Sequence, residues 1–542
     1  MPESYFIGVD VGTGSVRVGL FTSTGNSVKI AKKDINSFNP IPDHYEQSSE
    51  EIWAACLHCI KEVSEGIESE NIRGIGFDAT CSLVVLDKQK KPLSVSTTGN
   101  KNQNVILWLD HRAHKEAEEI NELNHPVLKY VGGKISLEMQ TPKLMWLKRN
   151  MKETCWDKAG YFFDLPDFLT FKATGSEIRS LCSLVCKWTY EASSLEIKGW
   201  NKQYFHQIGL EDLLEDQTKI GTSVLPPGSP IELGLNQKTA LETGLNHQTP
   251  VGVSAIDAHA GGLGIIGSFV DCVANKFSIR LGLICGTSTC HMIVSENPIF
   301  VNGVWGPYYS AMIPGMWLNE GGQSATGKLI DHIINTHPAT LDLKKKHPNK
   351  IIQQVLNDFI EEIAERKNLP SSCFLTKDFH VWPDFHGNRS PIADSTLKGM
   401  ISGLQLGVDE EDLAITYLAT LQSLAYGTKH ILSELEKSGH HIEAVTICGG
   451  LSKNKLYVQL QSDVLSLPVI VPHEEEPVLL GAAILGACAA NFFENIEAAI
   501  HSMAGKGDVV CPDVNTQDYH RKKYQVFLKM LEHQKEYKSI MS

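Results

Sequence analysis

Tyr5-Phe6-Ile7-Gly8-Val9-Asp10-Val11-Gly12-Thr13-Gly14-Ser15-Val16-Arg17-Val18-Gly19-Leu20-Phe21 is the stretch on which the reading of the fold turns. Two short apolar runs, rich in β-branched and aromatic residues, flank Asp10-Val11-Gly12-Thr13-Gly14-Ser15, a pattern of strand, tight turn and strand. Glycines at 12 and 14 permit positive φ and close backbone approach, so several N–H groups can converge on one anion. Thr13 and Ser15 add hydroxyls, Arg17 a fixed cation, and Asp10 a carboxylate suited to Mg²⁺. The same residues also suit a plain β-hairpin with a glycine turn. The rest of the chain has to decide.

The theme returns in Leu281-Gly282-Leu283-Ile284-Cys285-Gly286-Thr287-Ser288-Thr289-Cys290-His291-Met292-Ile293-Val294. The two copies share only an outline, so an internal repeat is a structural expectation. Two phosphate-friendly hairpins in separate halves suggest a nucleotide in the cleft between them. Between the hairpins, Ser48-Ser49-Glu50-Glu51 reads as a capping box opening a helix that runs to about Val63. Ile72-Arg73-Gly74-Ile75-Gly76-Phe77-Asp78 reads as a buried strand and residues 82–87 as its partner. Residues 249–257 bring a strand out to Asp257, and Ala258-His259-Ala260-Gly261-Gly262-Leu263-Gly264 reads as a hinged crossover between two halves. Further on come a charged surface insertion at 344–372, a long amphipathic helix over 411–437, and a strand ending in Gly449-Gly450. Ser452-Lys453-Asn454 can start the next helix, and a terminal helix is expected over 519–537. Alternation of strands and helices favours an α/β architecture.

A chain of 542 residues contains more than one core, since single cores seldom exceed about 250–300 residues. The composition, 42% hydrophobic and 21% charged, is that of a globular protein, and a net charge of −14 argues against a nucleic-acid-binding surface. Met1-Pro2-Glu3-Ser4 lacks the basic and apolar regions of a secretory signal, and the apolar run 478–490 is too short to span a membrane. Thirteen scattered cysteines suit free thiols in a reducing compartment, with the cytosol as the expected address. The pair Cys56-Leu57-His58-Cys59 lies on an amphipathic pattern with Ile52, Ala55, Ile60 and Val63, which points to core packing over metal.

Gly322-Gln323-Ser324-Ala325-Thr326-Gly327-Lys328 has Walker A spacing, but Leu329 stands where Ser or Thr should face Mg²⁺, and residues 315–320 look like a poor buried strand. A dinucleotide fingerprint fails too, because Gly12-Thr13-Gly14 is followed by a strand pattern.

The hairpin at Asp10, the second at Gly286, and Gly449-Gly450-Leu451-Ser452-Lys453-Asn454 occur in a fixed order with five further blocks. These are Trp108-Leu109-Asp110-His111-Arg112, Lys143-Leu144-Met145-Trp146, Ile256-Asp257-Ala258-His259, Gly321-Gly322-Gln323 and Gly387-Asn388-Arg389-Ser390-Pro391. In this ordered set the chain resembles the FGGY family of carbohydrate kinases. Within it, Thr80-Cys81-Ser82-Leu83-Val84-Val85 resembles the ribulokinase branch, and in particular D-ribulose kinases. Glu138-Met139-Gln140-Thr141-Pro142 departs from the family pattern.

The resemblance implies a two-lobed actin-like, ribonuclease-H-like ATPase fold with its active site between the lobes. The lobes would span residues 1–262 and 263–505, followed by a helical segment over 506–542. It implies transfer of the γ-phosphate of MgATP to a ketopentose, D-ribulose first, with L-ribulose, xylulose or ribitol as alternatives. It implies Asp257 as general base, Asp10 and Asp257 toward Mg²⁺, and Gly12, Thr13, Gly14, Ser15 and Arg17 toward the outer phosphates. Gly286, Thr287 and Gly327 would approach the nucleotide from the other lobe, and Gly449, Gly450 and Asn454 would line the adenosine. Thr80, Cys81, Ser82, Asp110, Arg112, Lys187 and Glu320 would read the sugar. A sugar and ATP would be the partners, with no nucleic acid or membrane, and a homodimer is compatible. A silent nucleotide- or sugar-binding regulator on the same fold is the rival from another class. Taken singly, Asp257 can equally cap a helix, Asp110 and Arg112 can form a surface ion pair, Lys187 can snorkel to the surface, and Trp108 and Trp146 suit the core.

Overall fold

Tyr5–Val11 is apolar on both faces, as a central strand covered from two sides must be, and it lies in the middle of a five-stranded mixed sheet. Ser15–Thr22 returns antiparallel to it, with Asp10 opposite Arg17, and Ser27–Asp34 forms the edge. On the other flank Ile72–Ala79 runs parallel to Tyr5–Val11, setting Gly8 against Gly76 and Asp10 against Asp78, and Ala255–Ile256 follows parallel again. The computed structural model describes residues 3–542; Met1 and Pro2 of the opening segment lie outside the described residues.

The second lobe repeats this plan. Arg280–Cys285 pairs antiparallel with Thr289–Ser295, which pairs antiparallel with Trp317–Gln323. On the opposite flank Ala444–Cys448 and Val469–Pro472 run parallel to Arg280–Cys285. Trp305–Tyr309 and Gly507–Val510 close the two edges. A helix lies in the same crossover of each lobe, Ser49–Ser64 in the first and Glu410–Lys437 in the second. The repeat is thus one of strand order, which survives where side chains have diverged.

Each lobe's last parallel strand leads to a helix, Asp257–Ile266 in the first and Pro477–Ala489 in the second, and these two helices pack on each other. Residues 258–264, whose small side chains suggest a hinged crossover, are therefore helical. Glycine in a helix costs about 1 kcal/mol relative to alanine, which close packing offsets. A Cβ on Gly481 would stand 1.8 Å from the Ala260 carbonyl oxygen, and one on Gly264 would stand 1.9 Å from that of Pro477. Pro477–Ala489 also crosses the first sheet, where a Cβ on Gly76 would lie 1.9 Å from the Ala482 oxygen.

Other expectations change in the structure. Leu83–Asp87 does not pair with Ile72–Ala79. It joins a separate four-stranded sheet with Glu46–Gln47, Val105–Ile106 and Ala159–Asp164, a choice that an uninterrupted apolar run cannot disclose. Ser48 caps its helix by accepting from Glu51 N at 3.3 Å, but the Glu51 carboxylate binds Asn36, so the reciprocal half of the capping box is missing. Trp317–Gln323 is a fully buried strand after all. The Walker A reading still fails, because Gly322 pairs inside that strand and Leu329 is buried in the core. The supposed surface insertion packs inward: Ile352–Arg366 buries Val355, Leu356, Ile360, Ile363 and Ala364. The terminal helix, Gln517–Met541, docks Phe527, Met530 and Leu531 against Trp382 and Tyr426. Cys56 and Cys59 are buried in the first lobe's core.

Candidate active site

Three aspartates meet where the first sheet ends. Asp10 and Asp78 are direct neighbours on parallel strands, and Asp257 opens the helix after the next strand over. Asp10 Oδ2 accepts from Arg17 Nε at 3.0 Å and Nη2 at 2.6 Å. Arg17 Nη1 reaches Glu476 Oε2 at 2.5 Å, tying the first hairpin to the second lobe at the start of Pro477–Ala489. Asp78 is fully buried and neither of its oxygens has a hydrogen-bond partner among the described residues. Burial, and then Asp10 and Asp257, push its carboxyl well above the usual range. Asp257 is partly exposed; its Oδ1 accepts from Ala258 N at 2.7 Å. Burial and the neighbouring Asp10 push the Asp257 carboxyl up to about 7.

A crowded set of carboxylates, one of them without partners, suits a hard divalent cation, which prefers carboxylates and water. Asp78 supplies the orphaned atoms of that set, and the sequence reading passed it over. Its signal was present, since Ile75-Gly76-Phe77-Asp78 repeats the spacing of Ile7-Gly8-Val9-Asp10.

The two glycine turns lie exposed in opposite lobes, at Gly14 and at Gly286-Thr287. A Cβ on Gly14 or Gly450 would meet nothing within 4 Å, which leaves room for an anion or a base to approach the backbone. Gly449 has φ +88, and a Cβ there would lie 2.3 Å from the Cys285 oxygen, so only glycine fits. Gly327 N donates to Gly286 O at 3.2 Å, and Thr326 N to Thr287 O at 2.9 Å, strapping the second turn to the start of Gly327–Thr336. Asn454 caps Lys455–Leu465 and donates from Nδ2 to the Tyr417 hydroxyl at 2.7 Å. Thr13 Oγ1 accepts from the half-buried Trp108 indole at 3.1 Å.

Near Asp257 both lobes contribute charges to one buried cluster. Lys187, at the end of Leu181–Lys187, is buried, so it does not snorkel; its ammonium lies 4.4 Å from the centre of the Trp305 ring. Arg389 covers that ring at 4.3 Å and bridges Glu320 Oε1 at 3.1 Å and Glu138 Oε2 at 3.2 Å. Burial opposes ionisation of Glu320, but Lys187, Arg389 and His259 outweigh it and hold its carboxyl below the usual range. Burial likewise opposes the charge on Lys187, and Cys81, Glu320 and Glu138 outweigh it. Thr80 and Ser82 hydroxyls lie 3.2 Å apart in the turn after Ile72–Ala79. Arg389, Glu138 and Trp305 were assigned no role from sequence, because the contacts joining them cross between lobes.

Asp110 and Arg112 form a fully buried pair, not a surface one. Arg112 Nη2 reaches Asp110 Oδ2 and Glu46 Oε1, each at 2.8 Å, and its guanidinium covers Trp146 at 5.0 Å. Asp110 Oδ2 also accepts from Tyr45 N at 2.6 Å, so both carboxylate oxygens are engaged inside the protein. Lys143 Nζ donates to Leu107 O at 2.8 Å and holds the same loop from below.

A two-lobed α/β frame that brings neighbouring carboxylates, two glycine turns and a buried charged cluster from both lobes together matches a sugar kinase of actin-like ATPase fold. The chain belongs to the FGGY family of carbohydrate kinases: the family's N-terminal domain matches residues 5–264 and its C-terminal domain residues 281–490. It is 54% identical to the human FGGY carbohydrate kinase domain-containing protein over 549 aligned residues, spanning 100% of this chain and 98% of that one. It is 40% identical to a Saccharomyces cerevisiae D-ribulokinase, over 91% of this chain and 73% of the relative. The ligand-bound xylulose kinase from Lactobacillus acidophilus shares the fold, with a TM-score of 0.80 at 17% identity over 98% of each chain. Among the described residues no helix is long and apolar enough to cross a membrane.

Proposed function

We propose that this kinase transfers the γ-phosphate of MgATP to D-ribulose, giving D-ribulose 5-phosphate. One observation carries the reading: Asp257 follows the strand paired beside that of Asp78, and two residues further on His259 stands 3.9 Å from Glu320 of the charged cluster, so a hydroxyl bound by that cluster could meet a phosphate bound at the carboxylates. The 40% identity to a D-ribulokinase supports the choice of sugar.

In this reading Asp257 accepts the proton of the attacking hydroxyl. Its partial exposure leaves the carboxylate open to a substrate hydroxyl. Mg²⁺, held by Asp10, Asp78 and Asp257, would neutralise phosphate charge. The Gly12–Ser15 turn with Arg17, and Gly286 with Thr287, bind the phosphates from opposite lobes, and Gly449, Gly450 and the capped Asn454 flank the adenosine. Gly327 acts by fixing the Gly286 turn. Lys187, Glu320 and the Thr80-Cys81-Ser82 turn hydrogen-bond the sugar's hydroxyls and carbonyl, with Arg389 and Glu138 fixing Glu320. Asp110 and Arg112 hold the loop that carries Trp108. Thirteen free cysteines support a reducing, cytosolic address.

A coupled ADP assay over D-ribulose, L-ribulose, xylulose and ribitol tests the assignment. The highest kcat/KM is expected for D-ribulose. Preference for another sugar would refute the substrate, and equal ATP turnover with and without sugar would refute the kinase.

A further inference from the structure

Beside the sugar pocket lies a group that phosphoryl transfer does not use. Cys182 and Cys186 stand four residues apart on Leu181–Lys187, and His259 projects toward them from Asp257–Ile266. All three are buried, and their ligand atoms lie within 4.8 Å of one another. Cys186 Sγ is 3.4 Å from His259 Nε2. Glu320 Oε2, buried and without a hydrogen-bond partner among the described residues, is 3.9 Å from the same nitrogen.

In a tetrahedral centre with Zn–S near 2.3 Å and Zn–N near 2.0 Å, neighbouring donor atoms stand roughly 3.3–3.8 Å apart. The observed separations need adjustments of about 1 Å or less to reach that geometry. The donor set is two sulfurs, one imidazole and one carboxylate oxygen, which selects a soft or borderline cation over Mg²⁺. His259 Nδ1 is likewise buried without a hydrogen-bond partner among the described residues. Lys187 and Arg389 oppose a cation here, whereas Glu320 favours one. Binding must also release the thiol protons, so affinity should rise with pH.

We propose that Cys182, Cys186 and His259 form a site for a soft divalent cation such as Zn²⁺, with Glu320 as fourth donor, and that its occupation competes with the sugar. Coordination draws the free Glu320 oxygen away from the pocket and fixes the helix carrying Lys187 to the helix carrying Asp257. The competition rests on the reading of Glu320 and Lys187 as sugar contacts; the binding does not.

The test is a Co²⁺ titration of the full chain, stripped of metal by chelator. The expected result is a sulfur-to-cobalt charge-transfer band that saturates at one Co²⁺ per chain and is displaced by Zn²⁺; Co²⁺ at the carboxylates gives no such band. Binding should weaken at least tenfold in Cys186→Ser and in His259→Gln, and remain unchanged in Cys272→Ser, which alters an exposed thiol. Two single variants from different helices keep the test valid if one misfolds, as circular dichroism would report. Zn²⁺ should raise the KM for D-ribulose with little change at saturating sugar, and D-ribulose should weaken Co²⁺ binding. Absence of the band, or its full retention in both site variants, overturns the site. Co²⁺ binding unaffected by sugar overturns the competition. Should no sugar be phosphorylated, the spectrum still reads the cation site, so the two readings fail separately.

Discussion

Gly481→Ala tests whether the crossing of Asp257–Ile266 with Pro477–Ala489 sets the geometry between the lobes. The new Cβ would lie 1.8 Å from the Ala260 carbonyl oxygen and 2.5 Å from its carbon. Carbon–oxygen contacts settle near 3.3 Å, so the helices must separate by about 1.5 Å. Alanine gains about 1 kcal/mol of helix propensity over glycine. Overpacking a close contact costs about 1–3 kcal/mol, and here the obstacle is helical backbone, which cannot rotate aside. The net effect is then a loss of up to about 2 kcal/mol. Catalysis should suffer more than stability. Asp257 begins one of the two helices, and a displacement of about 1 Å at a reacting group can cost about 10²-fold in rate. Urea unfolding and the coupled kinase assay, run side by side, read both effects. A variant as stable as the parent, with unchanged kcat, would refute the argument that this contact positions the site.

Glu320→Gln should raise the KM for sugar about tenfold or more while leaving the fold intact, because a neutral amide still accepts from Arg389; steady-state kinetics checks this. Arg112→Met leaves Asp110 and Glu46 buried without their cation and should cost about 3–5 kcal/mol of stability, measured by denaturant unfolding. Asp78→Asn should weaken binding of Mn²⁺, used as a spectroscopic stand-in for Mg²⁺, by about tenfold or more, read by electron paramagnetic resonance; unchanged Mn²⁺ affinity would remove Asp78 from the metal's ligands. His520 docks the terminal helix through the Tyr426 hydroxyl at 2.9 Å, and burial followed by Lys523 and Lys429 lowers it to about 4. Its unfolded form takes up a proton below about 6.5, so its contribution is full above that pH and is lost as pH falls from about 6.5 toward 4. Unfolding of His520→Gln should therefore vary less with pH across that window than unfolding of the parent.

The backbone elements that carry the two glycine turns are legible because glycine-rich turns and flanking apolar strands are local signals. Asp10, Arg17, Gly286 and Asp257 all lie at the ends or turns of such elements. Asp78 required knowing that two strands run parallel in register, and only the echo between residues 7–10 and 75–78 hinted at it. Arg389, Glu138 and Trp305 come together from three distant segments and two lobes, so no local pattern predicts their contact. The hinge reading of residues 258–264 failed because glycine content alone cannot separate a flexible link from a helix packed tightly on another. The pairing of Leu83–Asp87 failed for a related reason: a strand buried on both faces carries no label for its sheet.

The central claim is that Asp257 serves as the base in phosphoryl transfer to a ketopentose, and Asp257→Asn measures it directly. With D-ribulose and MgATP, kcat should fall about 10²–10⁴-fold, the loss expected for a general base, while KM for both substrates stays within a few fold and the unfolding midpoint is unchanged. A fall of less than tenfold, or ATP turnover that persists without sugar, would contradict the account.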